Sequence, residues 1–119
     1  MQRMAIVFVA LFLCIAVAPS FAQTVQHGEF KLTIESEGWT LHQGEGTRTF
    51  QYIVTFDRPY ESAPTMTYGV TGLDAGIEKN IRYTVKVEKV TITGFVIRIT
   101  TWADSRIYGI YGNWLAFGK

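Results

Sequence analysis

The chain has 119 residues, 48% of them hydrophobic and 14% aromatic, which is enough apolar side chain for the core of one small domain. Its 11 basic residues nearly balance its 10 acidic ones, and the balance becomes even if Arg3 is removed with a leader segment. A neutral surface excludes partners that are held by bulk electrostatic attraction, whether nucleic acid or an anionic membrane.

Residues 1–22 have the pattern of a secretory signal peptide. Arg3 supplies a positive charge near the start, an apolar run follows, and small residues, Ser20 and Ala22, stand three and one positions before the expected cleavage point. The apolar run is shorter than the ~20 residues that cross a bilayer, although a retained anchor is the alternative. We therefore expect a secreted protein, extracellular or periplasmic, whose mature domain, residues 23–119, is not inserted in a membrane.

The composition of the mature segment argues against metal and redox chemistry. The single cysteine, Cys14, lies in the predicted leader, so residues 23–119 cannot form disulfides, iron–sulfur clusters or cysteine-ligated zinc sites. His27 and His42 fall in segments that we predict to be turns, without metal-ligand spacing or a nucleophile motif around them. We expect no cofactor, no metal and no enzymatic activity.

Alternating apolar and polar residues predict an all-β domain. The clearest alternation runs from Asn80 to Lys89, and turn signals rich in Gly, Pro and Asp separate the segments, one of them at Gly72–Gly76. The predicted strands are Glu29–Ile34, Arg48–Phe56, Thr65–Val70, Asn80–Lys89, Phe95–Trp102 and Ile107–Phe117. Six short strands at this spacing favour an antiparallel β-sandwich.

Strand register brings candidate functional residues together. If the fourth and fifth predicted strands pair as a hairpin, Ile81 points to the buried face, while Arg82 and Trp102 share the exposed face. The turn after Trp102 leads to Tyr108. Flat aromatic faces beside an arginine suit a sugar ring, which has apolar C–H faces and hydroxyl edges. These residues indicate a sugar-binding module.

Short motifs with a characteristic spacing extend over nearly the whole mature segment. They are Val25-Gln26-His27-Gly28, Thr55-Phe56, Pro59-Tyr60, the run from Val70 to Asp74, Asn80-Ile81-Arg82, Thr93-Gly94-Phe95, Thr101-Trp102, Tyr108 and Trp114. With these motifs in this order, the chain resembles the H-type lectin domain, the family of the snail agglutinins and of the C-terminal domain of discoidins. The resemblance implies a six-stranded antiparallel β-sandwich and a parallel homotrimer. It further implies sites for N-acetylgalactosamine or galactose near the subunit boundaries, without bound metal and strengthened by avidity.

The resemblance also implies roles for individual residues. Arg82 matches the family's sugar-binding arginine, Trp102 its ring-contacting tryptophan and Tyr108 its tyrosine. Glu45, in the loop Gly44–Gly46, falls where the family has an aspartate that reaches in from the neighbouring subunit. Partners of the protein are then glycans or glycoconjugates.

One position departs from the family pattern. Snail members carry a histidine directly after the tryptophan, and this chain has Ala103, so a hydrogen-bonding group is lost. Asp104 or Ser105 could substitute in part, or the pocket could prefer another sugar. The competing interpretation is a non-catalytic structural or protein-binding sandwich that has lost its affinity for sugar, in which the aromatics serve only in packing. Trp39 and Trp114 are predicted to pack in the core or between subunits.

Overall fold

The computed structural model describes residues 23–119, so the predicted signal peptide lies outside the described residues. Six strands form the regular structure of this part of the chain, and the predicted all-β class is confirmed. The strands are β1 (Thr24–Thr33), β2 (Arg48–Thr55), β3 (Thr65–Ala75), β4 (Tyr83–Glu88), β5 (Gly94–Thr101) and β6 (Ile107–Gly118). Residues 23–119 include no helix with the length and apolarity needed to span a membrane.

The strands make two antiparallel three-stranded sheets, ordered β1-β6-β3 and β2-β5-β4. The alternation in β5 sends Phe95, Ile97 and Ile99 into the core, where all three are buried as predicted. The Trp114 ring of β6 crosses from the other sheet and lies 5.1 Å, centroid to centroid, from the ring of Phe95. Removal of these apolar faces from water holds the two sheets together.

Both tryptophans that were predicted to pack belong to the core of the single chain. Trp39 is buried, and its Nε1 donates a hydrogen bond to the Ile107 carbonyl at 3.0 Å. Trp114 pairs in register with Gly28, and a Cβ at Gly28 would lie 2.8 Å from the indole ring. The glycine is therefore needed for the indole to lie flat against β1.

The start of β4 differs from the prediction. The strand begins at Tyr83 and not at Asn80, and Ile81 is 51% exposed where the alternation predicted burial. The physical reason is competition from side-chain hydroxyls. Ser105 and Thr101 bond to the backbone of Asn80 and Arg82, which leaves these residues outside the sheet ladder.

Two further predictions about local structure were wrong. The segment Gly72–Gly76 was predicted as a turn, but β3 continues to Ala75, with irregular register at Val70/Gly72 and at Asp74/Ala75. Such irregularities let a strand bend without leaving the sheet. His27 lies within β1 and not in a turn, because β1 starts five residues earlier than its alternation indicated.

Candidate functional site

Arg82 and Trp102 lie at the open end of the β4–β5 hairpin. Tyr83 is the first residue of β4 and pairs with Thr101, the last of β5, so the residues one step beyond the ladder are Arg82 and Trp102. The indole of Trp102 is 39% exposed, and Arg82 is half-buried. The structure thus places Arg82 and Trp102 next to the same ladder pair, which is the register that was predicted for them.

Two buried hydroxyls fix the backbone of Arg82. Ser105 Oγ accepts a hydrogen bond from Arg82 N at 3.0 Å and donates one to the Asn80 carbonyl at 2.5 Å. Thr101 Oγ1 donates to the Arg82 carbonyl at 2.6 Å. Both Ser105 and Thr101 are 0% exposed, so Ser105 supports Arg82 and does not present its hydroxyl to a ligand.

The guanidinium of Arg82 pairs with Asp104. Arg82 Nη1 lies 3.0 Å from Asp104 Oδ1, and the two side chains are 30% and 45% exposed. Solvent screens a pair this exposed, so it adds at most ~1 kcal/mol to folding stability. Its main effect is orientation. Nη1 donates to Asp104 and, at 3.5 Å, to Ser105 Oγ, which leaves Nε and Nη2 for a ligand.

Ala103 forms the apex of the turn between β5 and β6. Its φ of 56° is in the left-handed region, and its side chain is exposed. The Ala103 carbonyl accepts hydrogen bonds from Gly46 N at 2.9 Å and from Arg48 Nη2 at 3.0 Å. The position where the snail agglutinins have a histidine is therefore held rigidly by its backbone, although its side chain contributes only a methyl group.

Sequence reasoning missed Arg48, which ties the loop before β2 to this turn. Its guanidinium donates to four carbonyls, those of Gln43 at 2.6 Å, Gly46 at 2.9 Å, and Ala103 and Ser105 at 3.0 Å each. Its position, directly after a glycine-rich loop and at the start of a strand, is a weak signal for such a role. Arg48 supports the site without facing it.

Glu45 lies on the other side of the turn from Arg82. It is exposed in the loop that leads into β2, and β5 separates β2 from β4 in the sheet. Two strand spacings amount to ~10 Å, and no ion pair joins Glu45 to Arg82 within residues 23–119. The carboxylate that meets Arg82 in the same chain is that of Asp104.

Tyr108 opens onto a neighbouring cleft that Arg82 and Trp102 do not line. Its ring is 36% exposed and lies 6.0 Å, centroid to centroid, from that of His42. The cleft has a cavity volume of about 500 Å³ and is lined by His42, Gly76, Ile77, Glu78, Lys79, Arg106 and Tyr108. The structure therefore places Tyr108 at the same end of the sandwich as the Arg82 cluster but in an adjoining depression.

The chemistry available at this end is recognition by hydrogen bonding and by ring stacking. Among residues 23–119, no three His, Cys, Asp or Glu side chains stand close enough together to hold a metal ion. A rigid donor fork, one carboxylate and exposed aromatic faces form a surface that suits a polyhydroxylated ring.

Comparison with known proteins identifies relatives of the chain. The sequence profile of the H-type lectin domain matches residues 51–117, a segment that includes Arg82, Trp102, Asp104 and Tyr108 but not Glu45. A Fuscovulum blasticum protein named ATP synthase subunits region ORF 7 is 34% identical over 84 residues, 71% of this chain and 73% of the relative. Discoidin-2 of Dictyostelium discoideum is 29% identical over 94 residues, 78% of this chain and 35% of that protein.

Solved structures show the same architecture. Wild-type discoidin II from Dictyostelium discoideum superposes with a TM-score of 0.72 at 27% identity, over 84% of this chain and 39% of that one. The tailspike of Pseudomonas phage phi297 shares the fold alone, with a TM-score of 0.56 at 16% identity over 87% of this chain and 16% of that one. The chain thus spans well under half the length of the discoidins it matches.

Proposed function

The chain belongs to the H-type lectin domain family, and we propose that it is a secreted lectin for galactose-type sugars, N-acetylgalactosamine or galactose. The observation that carries the proposal is the position of Trp102 beside Arg82, whose backbone two buried hydroxyls hold in place. Secretion rests on the sequence pattern of residues 1–22.

Each side chain has a physical role in the proposed site. The axial O4 of galactose leaves one face of the ring with a continuous patch of C–H groups, which the exposed indole of Trp102 can cover with little loss of rotamer entropy. Arg82 can donate two parallel hydrogen bonds to neighbouring hydroxyl oxygens, and Asp104 can accept one from a hydroxyl. Tyr108 would contact a substituent that extends toward its cleft.

A homotrimer is part of the proposal. Glu45 and Arg82 lie on opposite flanks of the same turn and form no ion pair with each other within residues 23–119, so we assign Glu45 to the sugar site of a neighbouring copy. In a cyclic assembly every copy can contribute its Glu45 to a neighbour, because each interface joins the Glu45 flank of one subunit to the Arg82 flank of the next. Several sites on one face would raise the affinity for multivalent glycans.

A second candidate function is a structural or protein-binding module without sugar affinity. Ala103 favours it, since the histidine of the snail members is missing, and so does Asp104, which already engages one donor of Arg82. Sugar binding decides between the two candidates.

We expect the protein to bind galactose and N-acetylgalactosamine, but not glucose, in titration calorimetry at millimolar sugar, and to bind terminal galactose-type residues on a glycan array. Trp102→Ala should abolish both signals. Because Trp102 is partly exposed and outside the core, the free energy of unfolding should change by less than ~1 kcal/mol. Light scattering should show the same oligomer for the variant and the wild type.

The matched control is Tyr68→Ala, which removes a similarly exposed aromatic from β3. It should leave sugar binding unchanged. Absence of binding to both the free sugars and the multivalent array would rule out the lectin function. Unfolding of the Trp102 variant would instead assign that residue to packing.

A further inference from the structure

We propose that the cleft beside Tyr108 is a second subsite, which binds an anionic group, a carboxylate or a sulfate ester, on the glycan whose galactose unit lies at Arg82 and Trp102. This inference rests on the proposed function, because it assigns the acceptor end of the same glycan. The preferred ligand is then an acidic galactose-type saccharide and not a neutral one.

The side chains that line the cleft carry a net positive charge. Lys79 and Arg106 bring two positive charges to the cleft, and Glu78 brings one negative charge. Neither Lys79 nor Arg106 takes part in the ion pairs found among residues 23–119, such as Arg82–Asp104 and Arg98–Glu88, so neither cation of the cleft forms a salt bridge with a carboxylate there. The cleft therefore keeps a positive potential on a chain that is otherwise close to neutral.

Arg106 has unused hydrogen-bonding capacity. Its side chain makes one long hydrogen bond in the described part of the chain, from Nη1 to the His42 carbonyl at 3.5 Å. A guanidinium has five donors in a rigid fork, and that fork matches the two oxygens of a carboxylate or sulfate. Most of the donors of Arg106 remain available to a ligand.

The shape of the cleft is preformed. Gly76 N donates to the Arg106 carbonyl at 2.9 Å, and a Cβ at Gly76 would lie 3.3 Å from the Arg106 Cβ, so the loop lies close against the start of β6. The Tyr108 ring also borders Gly76, because a Cβ there would lie 3.7 Å from Tyr108 Cε2, and the His42 ring lies beside Tyr108 in the lining. A concave, partly apolar wall strengthens a charge interaction that full solvent would weaken, and a preformed site loses little entropy on binding.

The cleft lies within reach of the proposed sugar site. Lys79 precedes Arg82 by three residues, a span of at most ~11 Å of extended chain. Ser105 anchors the intervening segment through Asn80 and Arg82, so the separation is fixed. A substituent on the galactose unit, or on the sugar next to it, can therefore enter the cleft while the galactose ring covers Trp102.

The test compares three ligands with the full oligomeric protein at low ionic strength: methyl galactoside, its sulfated form, and a disaccharide that carries a uronic acid next to galactose. We expect one or both anionic ligands to bind about fivefold more tightly than the neutral sugar, as two partly exposed charge contacts would give. The preference should shrink at high salt, while binding of the neutral sugar should not change. The two anionic ligands distinguish a sulfate source from a carboxylate source.

Lys79→Gln and Arg106→Gln should each reduce the preference for the anionic ligand and leave the affinity for methyl galactoside unchanged. Lys86→Gln is the control, because it removes the same charge from an exposed position on β4. Equal affinity of the wild type for charged and neutral sugars, or a preference that survives both cleft variants, would overturn the subsite alone. A chain that binds none of the three ligands would overturn the lectin function together with it.

Discussion

At the residue scale, Ala103 combines a backbone conformation that disfavours alanine with a methyl side chain that cannot form a hydrogen bond. A φ of 56° is unfavourable for an alanine by ~1–2 kcal/mol, whereas histidine, asparagine and aspartate are enriched in this region among residues other than glycine. Two hydrogen bonds to the Ala103 carbonyl hold the turn in this conformation. The turn is thus already shaped for the larger side chain that snail members carry, and the loss of that side chain affects ligand contacts more than the fold.

We therefore expect Ala103→His to raise the affinity for N-acetylgalactosamine by about two- to tenfold, since one added hydrogen bond contributes ~0.5–1.5 kcal/mol. The melting temperature should not fall, because the new side chain is exposed and the left-handed backbone tolerates it. Titration calorimetry and thermal unfolding measure the two effects.

Ala103→Gly is the matched control for that change, since it relieves the backbone without adding a hydrogen-bonding group. It should stabilise the fold by ~1 kcal/mol and leave the affinity unaltered. If the histidine variant bound no better than the glycine variant, the site would not use this position.

At the scale of the strands, features that depend on neighbouring residues, such as burial along one strand, could be predicted. Features that depend on side chains far away in the sequence could not. The burial of Phe95, Ile97 and Ile99 follows from simple alternation, and the juxtaposition of Arg82 with Trp102 follows from hairpin register. The early end of the β4 ladder could not be inferred in this way. It depends on the Ser105 hydroxyl, 25 positions from its acceptor at Asn80.

The role of Arg48 could not be predicted from the local sequence either. The carbonyls that it binds across the turn lie 55 and 57 positions away, so no local pattern marks it. The cleft beside Tyr108 likewise depends on the path of the loop between β3 and β4, where the alternation predicted more strand. The residue types were enough to identify the candidate site. Which of its side chains line the same cavity depends on long-range hydrogen bonds, which no local pattern shows.

Arg48 connects two separate segments of the chain, the loop before β2 and the turn after β5. Arg48→Ala removes the four hydrogen bonds that join the loop before β2 to the turn after β5, so we expect faster amide exchange at residues 43–46 and 103–105. Exchange in β5 should stay slow, because its core contacts are intact. Stability should fall by ~1–3 kcal/mol, and sugar affinity should fall several-fold although Arg48 does not face the ligand.

Arg58→Ala removes the same type of side chain from an exposed position in the loop between β2 and β3 and serves as the control. It should change neither exchange at the turn nor affinity. Unaltered exchange at residues 43–46 in the Arg48 variant would show that the loop is held by other contacts.

At the scale of the whole molecule, the order of the strands in the sheet determines which candidate residues of one chain lie next to each other in the proposed sugar site. Glu45 precedes β2 and Arg82 precedes β4, on opposite sides of the central strand β5. Exposed apolar side chains lie on both flanks, with Ile53 on β2 and Val70 on β3. The two flanks of the chain are therefore different surfaces. In a ring of identical subunits, one flank of each subunit contacts the other flank of the next, so two different surfaces are required.

The proposed shared site can be tested by subunit mixing. Glu45→Ala and Arg82→Ala should each abolish sugar binding as homo-oligomers. In an equal mixture that assembles at random, about a quarter of the sites combine an intact Arg82 from one subunit with an intact Glu45 from the next, and these sites should bind. Co-expression with two different tags, tandem purification of the mixed oligomer and titration with galactose measure the recovered fraction. Because the purification removes the homo-oligomers, about a third of the sites in a mixed trimer should bind.

The control mixture pairs Arg82→Ala with Trp102→Ala. Both changes affect the same subunit's half of the site, so no arrangement of these subunits restores an intact site, and binding should stay absent. Recovery in the first mixture and none in the second is the result expected for a site shared between neighbours. If Glu45→Ala bound sugar normally by itself, or if neither mixture recovered binding, each chain would have to form its site alone, with Asp104 as the carboxylate beside Arg82.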